Sequence, residues 1–144
     1  MAAGWVLLVT AVTVAAVGLA LRRRAGRVRT APPGSARPLP AAVLAELAAL
    51  AEPAEHAVTL LQLSTSFCAP CRQASAVLSD LAERTPGLRY VELDVTERPD
   101  LSGPLQVRST PTTLAVAADG RELLRLVGVP RQNILLDALR PHLR

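Results

Sequence analysis

An α/β domain with a small mixed sheet flanked by helices, preceded by one N-terminal transmembrane helix, is the architecture this sequence predicts. Three observations predict it. Residues 2–21 carry no charge at all. From Ala41 onward, segments with helical spacing alternate with short apolar runs rich in Val and Leu, the pattern of strands crossed over by helices. One of those runs leads straight into a Cys-x-x-Cys pair that opens a helical segment.

The uncharged run Ala2 to Leu21 holds Trp5 near one end and a series of Val, Leu and Ala. As a helix it is long enough to cross a bilayer core. Arg22, Arg23, Arg24, Arg27 and Arg29 follow it. A cleaved signal peptide would carry its charge before the apolar run, so the expectation for residues 1–21 is an uncleaved single-pass anchor in the cell membrane. Basic residues beside a membrane helix stay on the cytoplasmic side, which places residues 22–144 in the cytoplasm. Residues 22–40, rich in Arg, Pro and Gly and without apolar periodicity, read as a semi-extended linker. Residues 41–144 are left for the domain.

Half of the residues are hydrophobic but only 2% are aromatic, so the core is built from Leu, Val and Ala. The net charge of +4 divides unevenly: residues 1–40 hold six Arg and no acid, whereas the remaining ten Arg face twelve acids. The domain is therefore slightly acidic. It has no basic helix face and no interleaved aromatics, and nucleic-acid binding is not expected.

The elements of the domain follow in order. Ala41 to Glu52 is a helix between Pro40 and Pro53, and Val58 to Ser64 is a buried strand. In residues 69–84, Ala74, Val77, Leu78 and Leu81 fall at helical spacing, and Thr85-Pro86-Gly87 stops the helix. Leu88 to Val95 is the next strand, and Glu97 to Ser102 a short helical turn. Thr112 to Ala117 and Arg121 to Val127 are strands joined by an Asp119-Gly120 hairpin. Pro130 opens a last helix whose apolar face is Ile134, Leu135, Ala138 and Leu139. The first two strands, joined through a helix, are expected to be parallel and the last two antiparallel.

The chain has two cysteines, Cys68 and Cys71. At the start of a helix, backbone N–H groups and the helix dipole favour a thiolate at Cys68, the species that attacks disulfides. One turn on, Cys71 is within reach to resolve the resulting mixed disulfide. Pro70, in the first turn, loses no hydrogen bond that the helix needs. Zinc would require more than the two ligands this pair supplies. His56 and His142 lie far apart in sequence, so no metal and no cofactor are expected.

Taken together, the strand VTLLQLS running into Phe67-Cys68-Ala69-Pro70-Cys71, the strand LRYVELDV, Thr110-Pro111 before a third strand, and Asp119-Gly120 before a strand ending in Val127-Gly128 resemble the thioredoxin family over residues 57–143. The resemblance implies a thioredoxin-like fold and a cis-proline at Pro111 facing the cysteine pair. It also implies that the backbone of Thr110 pairs with a bound substrate strand; the plainer reading is that Pro111 merely begins a strand. The sequence departs from the family in having Ala69 for the usual Gly, and Phe67 and Ser64 for two Trp. It also has Gln62 where most thioredoxins bury an Asp that moves the resolving cysteine's proton. Gln cannot take up a proton. Glu92, on the neighbouring strand, is a candidate replacement for that carboxylate; as an ordinary exposed strand residue it would have no such role.

These readings point to a membrane-tethered thiol–disulfide oxidoreductase, mainly a reductase, acting on protein disulfides and recharged by a thiol reductase or a membrane thiol carrier. Anchored domains of this family often work on the outer face. An extracytoplasmic protein of disulfide formation or cytochrome maturation is therefore the alternative. A non-catalytic module whose cysteines sense redox state is the reading from a different class.

Overall fold

A computed structural model of the chain describes residues 2–24, 28–30, 37–50 and 56–143. The elements are α1 (Ala2–Arg24), β1 (Val28–Thr30), α2 (Ala41–Ala49), β2 (Val58–Ser64), α3 (Ala69–Arg84), β3 (Leu88–Asp94), α4 (Pro99–Ser102), β4 (Thr112–Ala117), β5 (Glu122–Val127) and α5 (Gln132–Leu139), with a single 3₁₀ turn at Arg140–His142. The strands form one sheet in the order β1-β5-β4-β2-β3. β2 and β3 are parallel, as their crossover through α3 dictates, and β4 is antiparallel to both β2 and β5.

β2 lies inside the sheet, and helices cover both of its faces. That is why its sequence is a nearly unbroken apolar run instead of an alternation. Leu61 and Leu63 point to one face, where they meet Val91, Leu93 and Leu114 of the neighbouring strands and Val43 and Leu47 of α2. Val58 and Leu60 point to the other, against Leu78 and Leu81 of α3 and Leu135 and Leu139 of α5. Leu60, Leu63, Leu78, Leu114, Leu135 and Leu139 have no exposed surface. Each stabilises the fold by roughly 1.5–3 kcal/mol relative to remaining in water. On α3 the buried positions are Cys71, Ala74, Leu78 and Leu81, the stripe that helical spacing predicts. Cys71 is thereby packed into the core while Cys68, at the helix start, stays half-buried.

The hairpin forms where Asp119-Gly120 predicts it. Gly120 has φ +81°, and a Cβ there would lie 2.8 Å from Leu44 Cδ2 of α2, so glycine serves both the turn and the helix packed on it. β5 begins at Glu122, one residue later than expected, because Arg121 bridges instead to Pro38. α5 begins at Gln132, with Arg131 rather than Pro130 as its preceding residue. α2 ends at Ala49, with Leu50 as its capping residue, short of the expected end at Glu52, which lies with Pro53 outside the described residues.

The span expected to be linker takes part in the sheet. Val28–Thr30 pairs antiparallel with β5, Val28 opposite Leu126 and Thr30 opposite Leu124. Leu39 donates its N–H to Gly120 O at 3.0 Å, Glu122 donates to Arg37 O at 3.0 Å, and Leu39 is 6% exposed. The physical reason is the outer edge of β5, whose unpaired backbone groups call for a partner. Three residues of ordinary β-propensity satisfy them without any periodic signature.

At the N-terminus, α1 runs through Arg24, beyond the expected boundary at residue 21. Trp5, Val6, Leu7, Leu8, Val9, Val12, Val14, Val17 and Leu19 are all exposed. Among the described residues no helix is long and apolar enough to cross a membrane; on α1 these are, for side chains, residues 4–20.

Candidate active site

The site sits at the carboxyl end of β2, where the chain leaves the sheet through Thr65, Ser66 and Phe67 and enters α3. Cys68 is the residue before the first helical position, in extended conformation at φ −103° and ψ 97°. This geometry turns its side chain toward the free N–H groups of the first turn. The Cys71 N–H donates to Cys68 Sγ at 3.2 Å, the contact that stabilises a thiolate when the bond is reduced. In this structure Cys68 and Cys71 are joined, with S–S 2.09 Å and Cα–Cα 5.1 Å. Pro70 lies in the first turn of α3, where a missing N–H costs nothing.

The two sulfurs are unequal in access. Cys71 is 2% exposed, whereas Cys68 borders an open groove of about 640 Å³ whose lining includes Cys71, Arg72, Glu92 and Asp94. Phe67, immediately before Cys68, is completely exposed. Cys68 is therefore the sulfur open to the groove, and Cys71 lies behind it.

Thr110 and Pro111 come to the same end of the sheet. The Thr110–Pro111 peptide is cis, and Pro111 is buried. The Thr110 hydroxyl lies 3.3 Å from that of Thr65, in the segment leading to Cys68. Two more bonds pin the loop: Thr112 Oγ1 donates to Ser109 O at 2.7 Å, and the Gly128 N–H donates to Pro111 O at 2.8 Å.

Behind the cysteines is a polar network. Gln62 has no exposed surface and faces α3, since it shares the side of β2 that carries Val58 and Leu60. Its Nε2 donates to the Cys71 carbonyl at 2.9 Å, and its Oε1 lies 3.1 Å from the Tyr90 hydroxyl. That hydroxyl is also 2.9 Å from Ser75 Oγ and 3.0 Å from Glu92 Oε2. Ser75 Oγ donates in turn to Glu92 Oε2 at 3.3 Å. Burial first, and then the negative charge of Glu92, push the Tyr90 phenol well above its usual range, although the Ser75 hydroxyl opposes this. Tyr90 therefore remains a neutral donor.

Glu92 thus stands directly beside Gln62 in the parallel register and is exposed to the groove. Its carboxylate touches the hydroxyls of Tyr90 and Ser75 rather than either sulfur. Asp94, two residues on, is a local brace: it accepts from the Thr96 N–H at 2.7 Å and from Ser66 Oγ at 3.0 Å. Thr96 above all, together with Ser66, holds its carboxyl below the usual carboxylate range. Tyr90 and Ser75 went unnoticed in the sequence. The available signal was the two-residue spacing of Tyr90 and Glu92, which puts them on one face of β3. Among the described residues no group of three or more His, Cys, Asp or Glu could hold a metal ion.

The thioredoxin family model matches residues 47–140. Among curated proteins, the chain is 36% identical over 84 residues to Thioredoxin H5 of Oryza sativa subsp. japonica, covering 58% of this chain and 62% of that one. It is 33% identical over 90 residues to thioredoxin of Staphylococcus aureus, covering 62% and 86%. The chain spans between about half and under two thirds of the length of the first curated relatives it matches. Among solved structures, a mutant thioredoxin from Halobacterium salinarum superposes with TM-score 0.59 at 24% identity, covering 74% of this chain and 88% of that one. Fasciola hepatica thioredoxin gives 0.56 at 19%, covering 69% and 90%. With the matched segment containing the strand, the Cys68–Cys71 helix start and the cis Thr110–Pro111 bond, this chain belongs to the thioredoxin family.

Proposed function

We propose that this protein is a membrane-tethered thiol–disulfide oxidoreductase, acting mainly as a reductase of protein disulfides. The observation that carries the reading is the pairing of an accessible Cys68 with a buried Cys71 at the first turn of α3. In the reduced enzyme the Cys68 thiolate attacks one sulfur of a partner disulfide. A Cys68–partner disulfide forms and the partner's other sulfur leaves as a thiolate, which takes a proton from water. Cys71 then loses its proton, and its thiolate attacks Cys68 Sγ. The Cys68–Cys71 bond forms, and the partner's second sulfur leaves as a thiolate. Two electrons have passed to the partner, and the enzyme is left in the oxidised state described above. A thiol reductase or a membrane thiol carrier returns it to the dithiol.

Within this mechanism Thr110 offers its backbone to the bound partner strand beside Pro111. Gln62 holds the Cys71 main chain but has no proton-accepting state. Glu92, the carboxylate on the groove nearest Gln62, takes the Cys71 proton through water.

The tether is residues 2–21. The backbone there is one helix, apolar on every side and exposed on every side over residues 4–20. A helix of that kind is either covered by protein or immersed in lipid, and none of the described residues of the domain covers it. At 1.5 Å per residue a 20-residue stretch extends about 30 Å, the thickness of a bilayer core. The positive-inside tendency of Arg22 to Arg24 supports a domain on the cytoplasmic side.

The test uses the full chain in detergent micelles with dithiothreitol and insulin. Wild type accelerates insulin reduction. Cys68→Ser abolishes the acceleration, and Cys71→Ser, reduced and then freed of dithiothreitol before insulin is added, is trapped as a covalent Cys68–insulin disulfide. Equal rates for wild type and Cys68→Ser would refute the activity. For the tether, the chain stays in membranes after alkaline carbonate extraction, and its release would refute that part. A C-terminal fluorescent protein that folds only in the cytosol reports the orientation: it fluoresces, whereas a dark fusion with active alkaline phosphatase at the same position would reverse it.

A further inference from the structure

β1 determines which end of the domain the tether enters. It runs antiparallel to β5, β5 to β4, and β4 to β2, so β1 and β2 run in opposite directions. The register fixes the levels. Val28 is opposite Leu126, Leu126 opposite Thr113, and Thr113 opposite Gln62. By the same steps Thr30 is level with Leu60. Traced backward from Val28, the chain therefore leaves the sheet toward the Ser64 end of β2. That is the end bearing Cys68, Phe67 and Pro111.

Three residues, 25–27, separate α1 from β1. Four Cα–Cα steps of 3.8 Å bound the distance from Arg24 to Val28 at about 15 Å. Three strand spacings of about 4.8 Å put Val28 roughly 14 Å sideways from Gln62. The opposite end of the sheet, near Ala118, lies one residue beyond Ala117, the partner of Val58, and is about 17 Å from the level of Gln62 at 3.3 Å per residue. A leash this short, attached at this end, holds the cysteine end close to the mouth of the tether. Two apolar side chains stand out from that end: Phe67, wholly exposed, and Val127, 44% exposed.

Resting on the tether reading above, we propose that the active-site end of the domain faces the bilayer and that its partner is a membrane protein whose disulfide lies at the headgroup surface. A disulfide far from the membrane is reached only if the domain tips away from its own attachment.

The test reconstitutes the full chain in phosphatidylcholine/phosphatidylglycerol vesicles containing a lipid with a nitroxide on its headgroup. A fluorophore is placed on Cys68 in Cys71→Ser, or on a cysteine at the far end in the variant Cys68→Ser/Cys71→Ser/Ala118→Cys. Quenching by the nitroxide is expected to be at least threefold stronger at position 68 than at position 118. A 20-residue Gly/Ser insertion after Arg24 adds about 25 Å of flexible reach and is expected to erase the difference. In the same vesicles, a phosphatidylethanolamine carrying a pyridyl disulfide is expected to be reduced at least fivefold faster by unmodified wild type than by the insertion variant. Co-flotation of protein with vesicles but equal quenching at the two positions overturns the orientation and leaves the tether standing. Failure to co-float overturns the tether itself.

Discussion

Removing one oxygen atom tests the network behind the cysteines. In Tyr90→Phe the ring stays in place and the hydroxyl is lost, and with it contacts of 3.1 Å to Gln62 Oε1, 2.9 Å to Ser75 and 3.0 Å to Glu92. Ser75 and Glu92 keep each other and have access to water. Gln62 Oε1 does not: its side chain has no exposed surface, and among the described residues Tyr90 is its one hydrogen-bond partner. A buried acceptor left without a partner costs about 1–3 kcal/mol. With a urea slope of roughly 1–3 kcal/mol per M for a domain of this size, the unfolding midpoint of the oxidised protein should fall by about 1 M. Gln62→Leu removes the same acceptor and leaves the Tyr90 hydroxyl with Ser75 and Glu92. The double variant should therefore be less destabilised than the sum of the single variants by about 1 kcal/mol. A Tyr90→Phe midpoint within error of wild type, or strict additivity in the cycle, would refute the claim that this hydroxyl satisfies Gln62.

Glu92→Gln should lengthen the lifetime of the Cys68–partner disulfide by on the order of 10- to 100-fold near pH 7, and the gap should close as pH approaches the ordinary thiol value of about 8.5; an unchanged lifetime sinks the proton-acceptor role. The chain has one tyrosine, so phenolate absorbance reports Tyr90 alone. In the folded protein it should rise only well above pH 10, and in denaturant near 10. Because the folded value is the raised one, the unfolded chain loses its proton first, and stability held below pH 10 should decline above it. Gly120→Ala should cost about 1–2 kcal/mol, from a left-handed residue with a side chain and from displacement of Leu44, and a thermal melt like that of wild type would contradict the packing described.

Much of the fold was legible because local and global signals agree. The run VTLLQLS suits a strand covered on both faces, and a helix of α3's length between it and LRYVELD favours a parallel pairing. Asp119-Gly120 announces a left-handed turn, and only a hairpin uses it. β1 was illegible for the opposite reason. Val28-Arg29-Thr30 has no pattern of its own, and its strand exists because β5 presents an open edge, which is a property of the assembled sheet. The same holds for the end of the sheet at which the chain enters β1, since that depends on register rather than on composition.

The site divides along the same line. Cys68, Cys71 and Pro70 sit on contiguous sequence, so the strand-to-helix junction that activates them could be read directly. The polar network behind Cys71 could not, because it is assembled across three elements. Gln62 at that position shows only that the buried side chain cannot take a proton. The network explains why it is tolerated: Nε2 is spent on the Cys71 carbonyl, and Oε1 on Tyr90. An amide held at both ends is a positioner. The proton released by Cys71 in the proposed mechanism must then leave by the groove side, where Glu92 borders water. Resolution in this protein should accordingly respond to salt and to substitutions on the groove wall. A buried carboxylate would be insulated from both, so the salt response distinguishes the two designs even where their rates at neutral pH agree.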